Sequence, residues 1–249
     1  MNIREEKLRL FDLVPEISPP RYYFLLFALF IFAFLFAFVP NAIIKFDFIP
    51  FLQSLVYCAL SFLLWKKAHG FSKKTGDQRL NYRHALPFFF FGMCLWYSAL
   101  LIPFFAGNIK QIHPVNFVAG FILFLIALLI WKKAVKVFSV EEIYVMGSFF
   151  PSSFKLKQNS VFRFIRHPFL GIAVVVCFGL FIISPSLFGL LSFLAVCLTA
   201  LMWISIEEKD LIQRFGKEYV IYQQKTGQLF PKITKIPEFI LFLGGITND

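Results

Sequence analysis

The stretch that decides the fold runs from residue 162 to residue 231 and opens with Phe162-Arg163-Phe164-Ile165-Arg166-His167-Pro168-Phe169-Leu170-Gly171. An apolar run follows, is interrupted by Ser184-Pro185-Ser186, and ends at Glu207-Glu208-Lys209-Asp210-Leu211. Each apolar part has, or nearly has, the roughly 20 residues that a membrane-spanning helix needs. If the interruption is a turn, the two helices form a hairpin. The sequence then predicts that charged residues about 40 positions apart meet at one membrane face.

The composition is that of an integral membrane protein. Hydrophobic residues make up 59% of the 249 residues and charged residues 16%, whereas soluble domains have about 45–50% and about 25%. We expect an all-α, polytopic fold with about six transmembrane helices. A chain of this length is expected to form a single membrane domain, with a four-helix part over 1–140 and a cofactor-binding hairpin with a cytoplasmic helix over 141–235.

The predicted elements follow from the apolar runs. Beyond the last span, residues 207–224 have apolar positions at helical spacing, which predicts an amphipathic helix on the cytoplasmic surface. Residues 236–246 are too short to span, so we expect an interfacial or packing segment there. The six predicted spans are Tyr22–Val39, Phe48–Trp65, Ala85–Ala106, Val115–Trp131, Pro168–Ile183 and Leu187–Ile206.

The distribution of positive charge predicts the topology. The predicted termini and two long loops carry 23 of the 25 Lys and Arg residues, whereas the opposite loops carry only Lys45 and Lys110. Cytoplasmic loops are rich in Lys and Arg, so both termini are predicted to be cytoplasmic, in a bacterial inner membrane or an endomembrane. The same distribution makes anionic lipid headgroups, and not nucleic acid, the expected counter-charge for the net charge of +11.

Two predicted helix ends have similar sequences, and Trp203 lies near a third helix end. The two sequences are Leu63-Leu64-Trp65-Lys66-Lys67-Ala68 and Leu129-Ile130-Trp131-Lys132-Lys133-Ala134. An internal duplication is one interpretation. We favour the other, in which each tryptophan lies at the membrane interface while lysines extend to the headgroups.

Several functional classes are disfavoured. No charge lies in the middle of a predicted span, where channels, pumps and coupled transporters usually place ionisable groups. The four cysteines all fall in apolar runs without CxxC spacing, so neither a metal site nor a disulfide framework is expected.

The charged clusters have a simple structural interpretation and a functional one. Pro168 suits the first turn of a helix, and Arg166 with His167 could then be headgroup anchors. However, Glu207 and Glu208 are unfavourable beside anionic lipid unless they are paired. Their predicted proximity to Arg166 and His167 therefore favours a functional site.

The ordered set of motifs resembles the integral-membrane methyltransferases of the isoprenylcysteine carboxyl methyltransferase and phospholipid methyltransferase superfamily. Two departures leave an aromatic ring but no hydroxyl. The family commonly has Gly-x-Tyr-Arg where this chain has Ser160-Val161-Phe162-Arg163, and Tyr where Phe169 follows the His-Pro pair. The resemblance covers the last third of the chain, through Arg166-His167-Pro168-Phe169-Leu170-Gly171, Glu207-Glu208-Lys209-Asp210-Leu211, Phe215-Gly216-Lys217-Glu218-Tyr219-Val220-Ile221-Tyr222 and Pro231.

The resemblance implies S-adenosylmethionine as cofactor and a lipid or lipid-linked methyl acceptor: an isoprenylcysteine carboxylate, a phospholipid amine or a thiol. It implies that Arg166 and Glu207 are catalytic. A guanidinium suits a carboxylate, a glutamate suits an ammonium or ribose hydroxyl, and aromatic rings offer faces for adenine. An amine acceptor must also lose a proton, for which His167 or a glutamate is the candidate base. The implied cofactor-binding residues are His167, Pro168, Phe169, Gly171, Phe162, Glu208 and Tyr222.

Two alternatives remain open. One is a membrane lipid or sterol reductase that uses NADPH, because basic residues near the C-terminal hairpin could hold its 2′-phosphate. The other is a non-catalytic membrane protein that kept the fold after losing the two tyrosine hydroxyls. The basic residues considered for the first alternative are Lys209, Arg214, Lys217 and Lys225.

Overall fold

The structure, a computed structural model, describes residues 48–106, 112–137, 149–150 and 155–246, with isolated helical positions at 28, 31, 32, 35 and 38. Most of the predicted first span lies outside the described residues, as does the boundary at 140 between the two predicted parts. The count of six spans and this division of the chain therefore stay predictions.

The described residues confirm an all-α membrane fold and contain no β-strand beyond one isolated bridge. Helices α1, α2, α3 and α5 are long and apolar enough to cross a membrane, whereas α4, with 16 residues, is shorter. A 3₁₀ turn over Ser160–Arg163 precedes α4, and another over Ile233–Lys235 precedes α7. The α-helices are α1 (Ile49–Ser72), α2 (Gln78–Phe105), α3 (Pro114–Ala134), α4 (Pro168–Ile183), α5 (Leu187–Phe215), α6 (Lys217–Lys225) and α7 (Ile236–Leu243).

Helices α1 and α2 extend beyond the predicted membrane boundary. The predicted polar loop over residues 66–84 shrinks to 73–77, because α1 continues to Ser72 and α2 already begins at Gln78. Asp77 caps α2 by accepting a hydrogen bond from the backbone N–H of Arg79 at 2.9 Å. Hydropathy marks the edge of the apolar layer, whereas a helix ends where its backbone is capped.

The same effect changes the predicted surface helix. The prediction that a separate helix begins at Glu207 is wrong, because α5 runs without a break to Phe215. Gly216 then adopts a φ of +55°, a conformation that suits glycine, and α6 begins after it. Residues 207–215 are therefore fixed rigidly to the membrane helix that carries them.

The helices pack as a bundle in which α1 lies along α2, α3 lies along α4, and α5 contacts both α1 and α2. At one end, Ser186 accepts a hydrogen bond from the N–H of Gly189 at 2.9 Å and donates to the carbonyl of Ala106 at 2.8 Å. The turn between α4 and α5 therefore lies beside the C-terminal end of α2, which confirms the predicted hairpin. Its charged residues lie at the opposite end.

The tryptophans near the helix exits differ in their environments. Trp65 and Trp203 are each only 4% exposed, and their rings stack at a centroid distance of 5.6 Å. Trp96 of α2 packs against Trp203 at 4.9 Å. Contacts between helices bury Trp65 and Trp203, so neither ring faces lipid, and their predicted position at the membrane interface stays a prediction. Trp131, at 38% exposed, does face outward.

Candidate functional site

The backbone before α4 is anchored by residues that follow α6. Ile165 forms an isolated parallel bridge with Gly227. The N–H of Arg166 donates to the carbonyl of Gly227 at 2.9 Å, and the N–H of His167 donates to that of Gln228 at 3.0 Å. The segment that carries both side chains is thus fixed by main-chain hydrogen bonds before the helix begins.

The first turn of α4 completes this anchor. Pro168 occupies the first turn, where its missing N–H leaves no hydrogen bond unmade, as the sequence predicted. Gly171 lies against the carbonyl of Leu229, and a Cβ at this position would collide with that oxygen. A glycine here lets α4 approach the 226–231 segment closely, which is a structural reason for Gly171 in the motif.

Arg166 joins α5 to the end of α6. Its Nε donates to Glu208 Oε1 at 2.9 Å, while Nη1 donates to the carbonyls of Gln223 at 3.1 Å and Thr226 at 2.6 Å. The side chain is 10% exposed. Among the described residues, none provides an acceptor for Nη2.

His167 lies between two carboxylates of α5. Its Nδ1 is 3.2 Å from Glu207 Oε2, and its Nε2 is 3.3 Å from Glu208 Oε1. Burial alone would lower the pKa of His167, but the hydrogen bonds and charges of Glu207 and Glu208 outweigh it and raise the pKa. The raised pKa extends the pH range of the protonated imidazolium, which can donate from both nitrogens.

The two glutamates, adjacent in sequence, are not equivalent. Glu208 is 15% exposed, and it accepts from Arg166 and His167 through Oε1 and from Gln223 Nε2 at 2.9 Å through Oε2. Glu207 is 38% exposed and meets His167 through Oε2 only. The described part of the chain supplies no partner for Glu207 Oε1, so this carboxylate keeps hydrogen-bonding capacity that Glu208 has used.

The aromatic residues predicted to contact adenine lie mostly inside the protein. Phe162 is 6% exposed, and Tyr222 is 4% exposed with its hydroxyl donating to the carbonyl of Phe162 at 2.6 Å. Phe169 is half-buried and meets the ring of Trp131 edge-on at 5.5 Å. Phe162 and Tyr222 therefore brace the segment before α4, and stacking of any of the three rings on adenine stays a prediction.

Sequence reasoning missed the residues that complete the Arg166 site. Gln223 and Thr226 contribute backbone carbonyls, whose position depends on the fold and not on side-chain type. The Thr226-Gly227 pair in the interval between Tyr222 and Pro231 was the available sign of a turn there.

A second histidine–carboxylate contact was also missed. His69 Nε2 of α1 lies 3.0 Å from Asp210 Oδ2 of α5, one helical turn beyond Glu207. Their side chains are 5% and 13% exposed, and His69 stacks on Trp65 at 5.4 Å. Because His69 follows Trp65 by four residues, its position on one face of α1 was readable, but its pairing with α5 was not.

A family model matches the part of the chain that holds this cluster. Residues 115–218 match the family model described as phospholipid methyltransferase. The matched segment runs from α3 into α6 and contains Arg166, His167, Glu207 and Glu208, but ends before Tyr222.

The match confirms the resemblance seen in the motifs: residues 115–218 are similar to the phospholipid methyltransferase family, which is consistent with the membrane methyltransferase superfamily. The matching model is that of the phospholipid methyltransferase family, which suggests methyl transfer to a lipid-type substrate. Neither the curated proteins nor the solved structures contain a significant match to the chain.

Proposed function

We propose that the protein is an S-adenosylmethionine-dependent methyltransferase whose acceptor is a membrane lipid, with the amine headgroup of a phospholipid as the first candidate. The observation that carries the proposal is the cluster of Arg166, His167, Glu207 and Glu208, which the helical hairpin assembles inside the segment that matches the family.

The polar groups at this site suit the cofactor. S-adenosylmethionine carries a carboxylate, an ammonium and a cationic sulfonium. Arg166 Nη2, which has no acceptor within the described ranges, suits the carboxylate, and Glu207 Oε1 suits the ammonium or a ribose hydroxyl. Glu208 anchors Arg166 and His167, so its proposed role is to orient these groups.

When bound, S-adenosylmethionine supplies an electrophilic methyl group. Transfer is an in-line displacement, so holding the acceptor in line with the methyl group provides most of the rate gain. The fixed backbone at Arg166 and His167 supports such alignment because neither side chain lies on a free loop. Glu207 also places negative charge beside the cationic part of the cofactor.

An amine acceptor must lose a proton, and the structure favours one of the two candidate bases. His167 has a carboxylate at each ring nitrogen, at 3.2 and 3.3 Å, so neither nitrogen is directed at an acceptor amine. Glu207 keeps one oxygen without a protein partner. Of the two candidate bases, Glu207 is therefore the better placed, and its Oε1 would serve either the cofactor or the acceptor proton; a carboxylate or thiolate acceptor would need little such help.

The reductase alternative has less support. Lys209, Lys217 and Lys225 are exposed at the ends of α5 and α6, where they could meet a 2′-phosphate, but exposed lysines are common at a membrane surface. The family match points to methyl transfer instead. No observation specifically favours a non-catalytic role.

The first test is ligand binding by the detergent-purified full chain. Calorimetry and thermal shift would be measured with S-adenosylmethionine, S-adenosylhomocysteine and NADPH in parallel. We expect stabilisation by the adenosyl pair and none by NADPH. Stabilisation by NADPH alone would move the protein to the reductases, and no response to all three in a folded sample would contradict a cofactor site.

The second test identifies the acceptor. Transfer of a labelled methyl group would be measured in vesicles that contain phosphatidylethanolamine, with isoprenylcysteine and a small thiol as competing acceptors. We expect label in the phosphatidylethanolamine fraction. Glu207→Gln should reduce turnover, whereas Glu218→Gln, at an exposed glutamate of α6, should not. Label in the isoprenylcysteine or thiol would keep the enzyme class and refute the amine.

A further inference from the structure

A cavity lies between the C-terminal ends of α3 and α7, outside the cluster around Arg166. Its volume is about 250 Å³. One water molecule takes about 30 Å³ of liquid volume, so the cavity is several times larger than a single water requires. It is lined by Leu129, Lys132, Lys133, Lys136, Leu243, Gly244 and Gly245.

The described lining is strongly basic, with three lysines and no acid. Each helix C-terminus contributes only about half a negative charge, so the two helix ends cannot neutralise three ammonium groups. Lys133 is partly held by the face of Phe242, with its Nζ 4.1 Å from the ring centroid. Glu238, the acid of α7, lies 3.5 Å from Arg163 and is paired there. Among the residues that the structure describes, the site thus has a surplus of positive charge, which a ligand anion would balance.

The surface next to the cavity is apolar. Helix α3 exposes a continuous set of large side chains, and only 17% of its most apolar window is buried inside the protein. A lipid beside α3 could rest its acyl chains on this surface while its headgroup reaches the lysines at the helix end. The exposed large side chains in the half of α3 that leads to the cavity are Phe121, Ile122, Leu125, Ile126, Leu128 and Leu129.

We propose that this cavity binds the phosphate of an anionic membrane lipid, with Lys132, Lys133 and Lys136 as the headgroup contacts. The shared chemistry is that of a phosphate anion, but the adjacent apolar face of α3 favours a lipid over soluble phosphate. Basic pockets between helices are a recognised type of anionic headgroup site. This site does not depend on the proposed methyl transfer.

The chain supplies its own matched control. The exit of α1 carries the same Trp-Lys-Lys-Ala sequence through Lys66 and Lys67, but Trp65 is buried there. At the exit of α3, Trp131 is 38% exposed and directly precedes Lys132. Removing two charges at either exit changes the net charge equally, yet only the second pair lines the cavity.

Trp131 also provides the probe. The other tryptophans, at positions 65, 96 and 203, are no more than 4% exposed, so quenching by brominated acyl chains reports mainly on the lipid beside α3. The full chain would be placed in nanodiscs of phosphatidylcholine with increasing brominated phosphatidylglycerol. Brominated phosphatidylcholine gives the reference, and Trp131→Phe should remove the signal.

We expect wild-type protein to prefer phosphatidylglycerol at Trp131. An interfacial lysine contributes roughly a fivefold preference, so Lys132→Gln/Lys133→Gln should weaken the preference by roughly 30-fold. Lys66→Gln/Lys67→Gln should leave it unchanged. If the double variant does not fold, Lys136→Gln provides the test at the exposed lysine after the helix, with roughly a fivefold effect expected.

Three results would overturn the proposal. These are equal quenching by the two lipids in wild type, an unchanged preference in the cavity variant, and equal losses in both double variants. A separate calorimetric titration with inorganic phosphate, in discs of phosphatidylcholine alone, distinguishes the ligand source. Phosphate binding that the Lys132→Gln/Lys133→Gln change removes would assign the cavity to a soluble anion and contradict the lipid.

Discussion

Helix α5 carries two histidine–carboxylate contacts one turn apart, and they differ in what they leave for a ligand. His167 faces Glu207 and Glu208 beside Arg166, and Glu207 is 38% exposed with one oxygen unused by the described residues. His69 and Asp210 are 5% and 13% exposed, and His69 stacks on Trp65. Similar residue types thus form a candidate ligand site in one place and a brace between α1 and α5 in the other. The two contacts are distinguished by whether a carboxylate oxygen is left exposed and without a described partner, and not by the types of residue involved.

The largest expected effect comes from Arg166→Ala. The substitution removes the hydrogen bonds to Glu208, Gln223 and Thr226, and it leaves the partly buried Glu208 carboxylate without its arginine partner. Together these losses should cost about 3 kcal/mol of stability. Binding of S-adenosylmethionine should be abolished in calorimetry while the protein stays in the membrane fraction. Arg163→Ala is the matched control and should retain binding, since Arg163 pairs with Glu238 instead. Normal binding by the Arg166 variant would remove it from the cofactor site.

The next comparison separates the two glutamates. Glu208→Gln should abolish cofactor binding and lower the thermal midpoint, because Glu208 holds Arg166, His167 and Gln223. Glu207→Gln should weaken binding or turnover with a much smaller change in midpoint, because Glu207 has one protein contact and is partly exposed. Equal midpoints for the two variants would show that the glutamates are equivalent after all.

The brace is tested by Asp210→Asn. Loss of the charged partner of His69 should cost about 2 kcal/mol of stability. The affinity for the cofactor should change by less than about twofold, which corresponds to about 0.4 kcal/mol. The reason is that the contact between His69 and Asp210 stabilises the folded state and does not touch the ligand. A selective loss of affinity, with an unchanged melting temperature, would place Asp210 in the ligand site.

His167 should also give the stability of the protein a pH dependence. The pKa of His167 is raised in the folded protein, so the folded state holds this proton more tightly than the unfolded state. Its stabilising contribution is complete below the ordinary histidine pKa of about 6.5 and is lost as pH rises through the folded value. We expect thermal stability to fall from neutral to alkaline pH, and His167→Gln to reduce that slope. An identical slope in wild type and variant would contradict the assignment.

The smallest expected effect concerns the segment that leads to Arg166. Ser160 has a φ of +52°, a conformation that is unfavourable for residues other than glycine, and its hydroxyl makes only a 3.4 Å hydrogen bond to the carbonyl of Lys133. Ser160→Gly should therefore stabilise the protein by about 1 kcal/mol. This position explains the glycine that the family commonly has there. A loss of stability would mean that the serine hydroxyl contributes more than the backbone strain costs.

Much of the site geometry was predictable because it depends on helix length. Two apolar runs joined by a short turn must return their ends to one side, so Arg166 and His167 were expected to meet Glu207 and Glu208, as they do. The helix ends at Ser72 and Phe215 were not predictable from hydropathy. Polar residues can continue a helix into water, and only capping or a residue such as Gly216 ends it.

The sequence by itself determined that this is an all-α membrane protein with a C-terminal hairpin and an ordered set of motifs. It could do so because composition, the length of apolar runs and residue spacing can be read along the chain. Only the tertiary structure decided that both carboxylate oxygens of Glu208 have protein partners while Glu207 keeps one oxygen without a described partner. It also decided that Trp65 is buried while Trp131 faces outward, and that His69 meets Asp210. These outcomes depend on which helices pack together and where backbone carbonyls point. Such contacts join residues distant in the chain, and no local pattern specifies them.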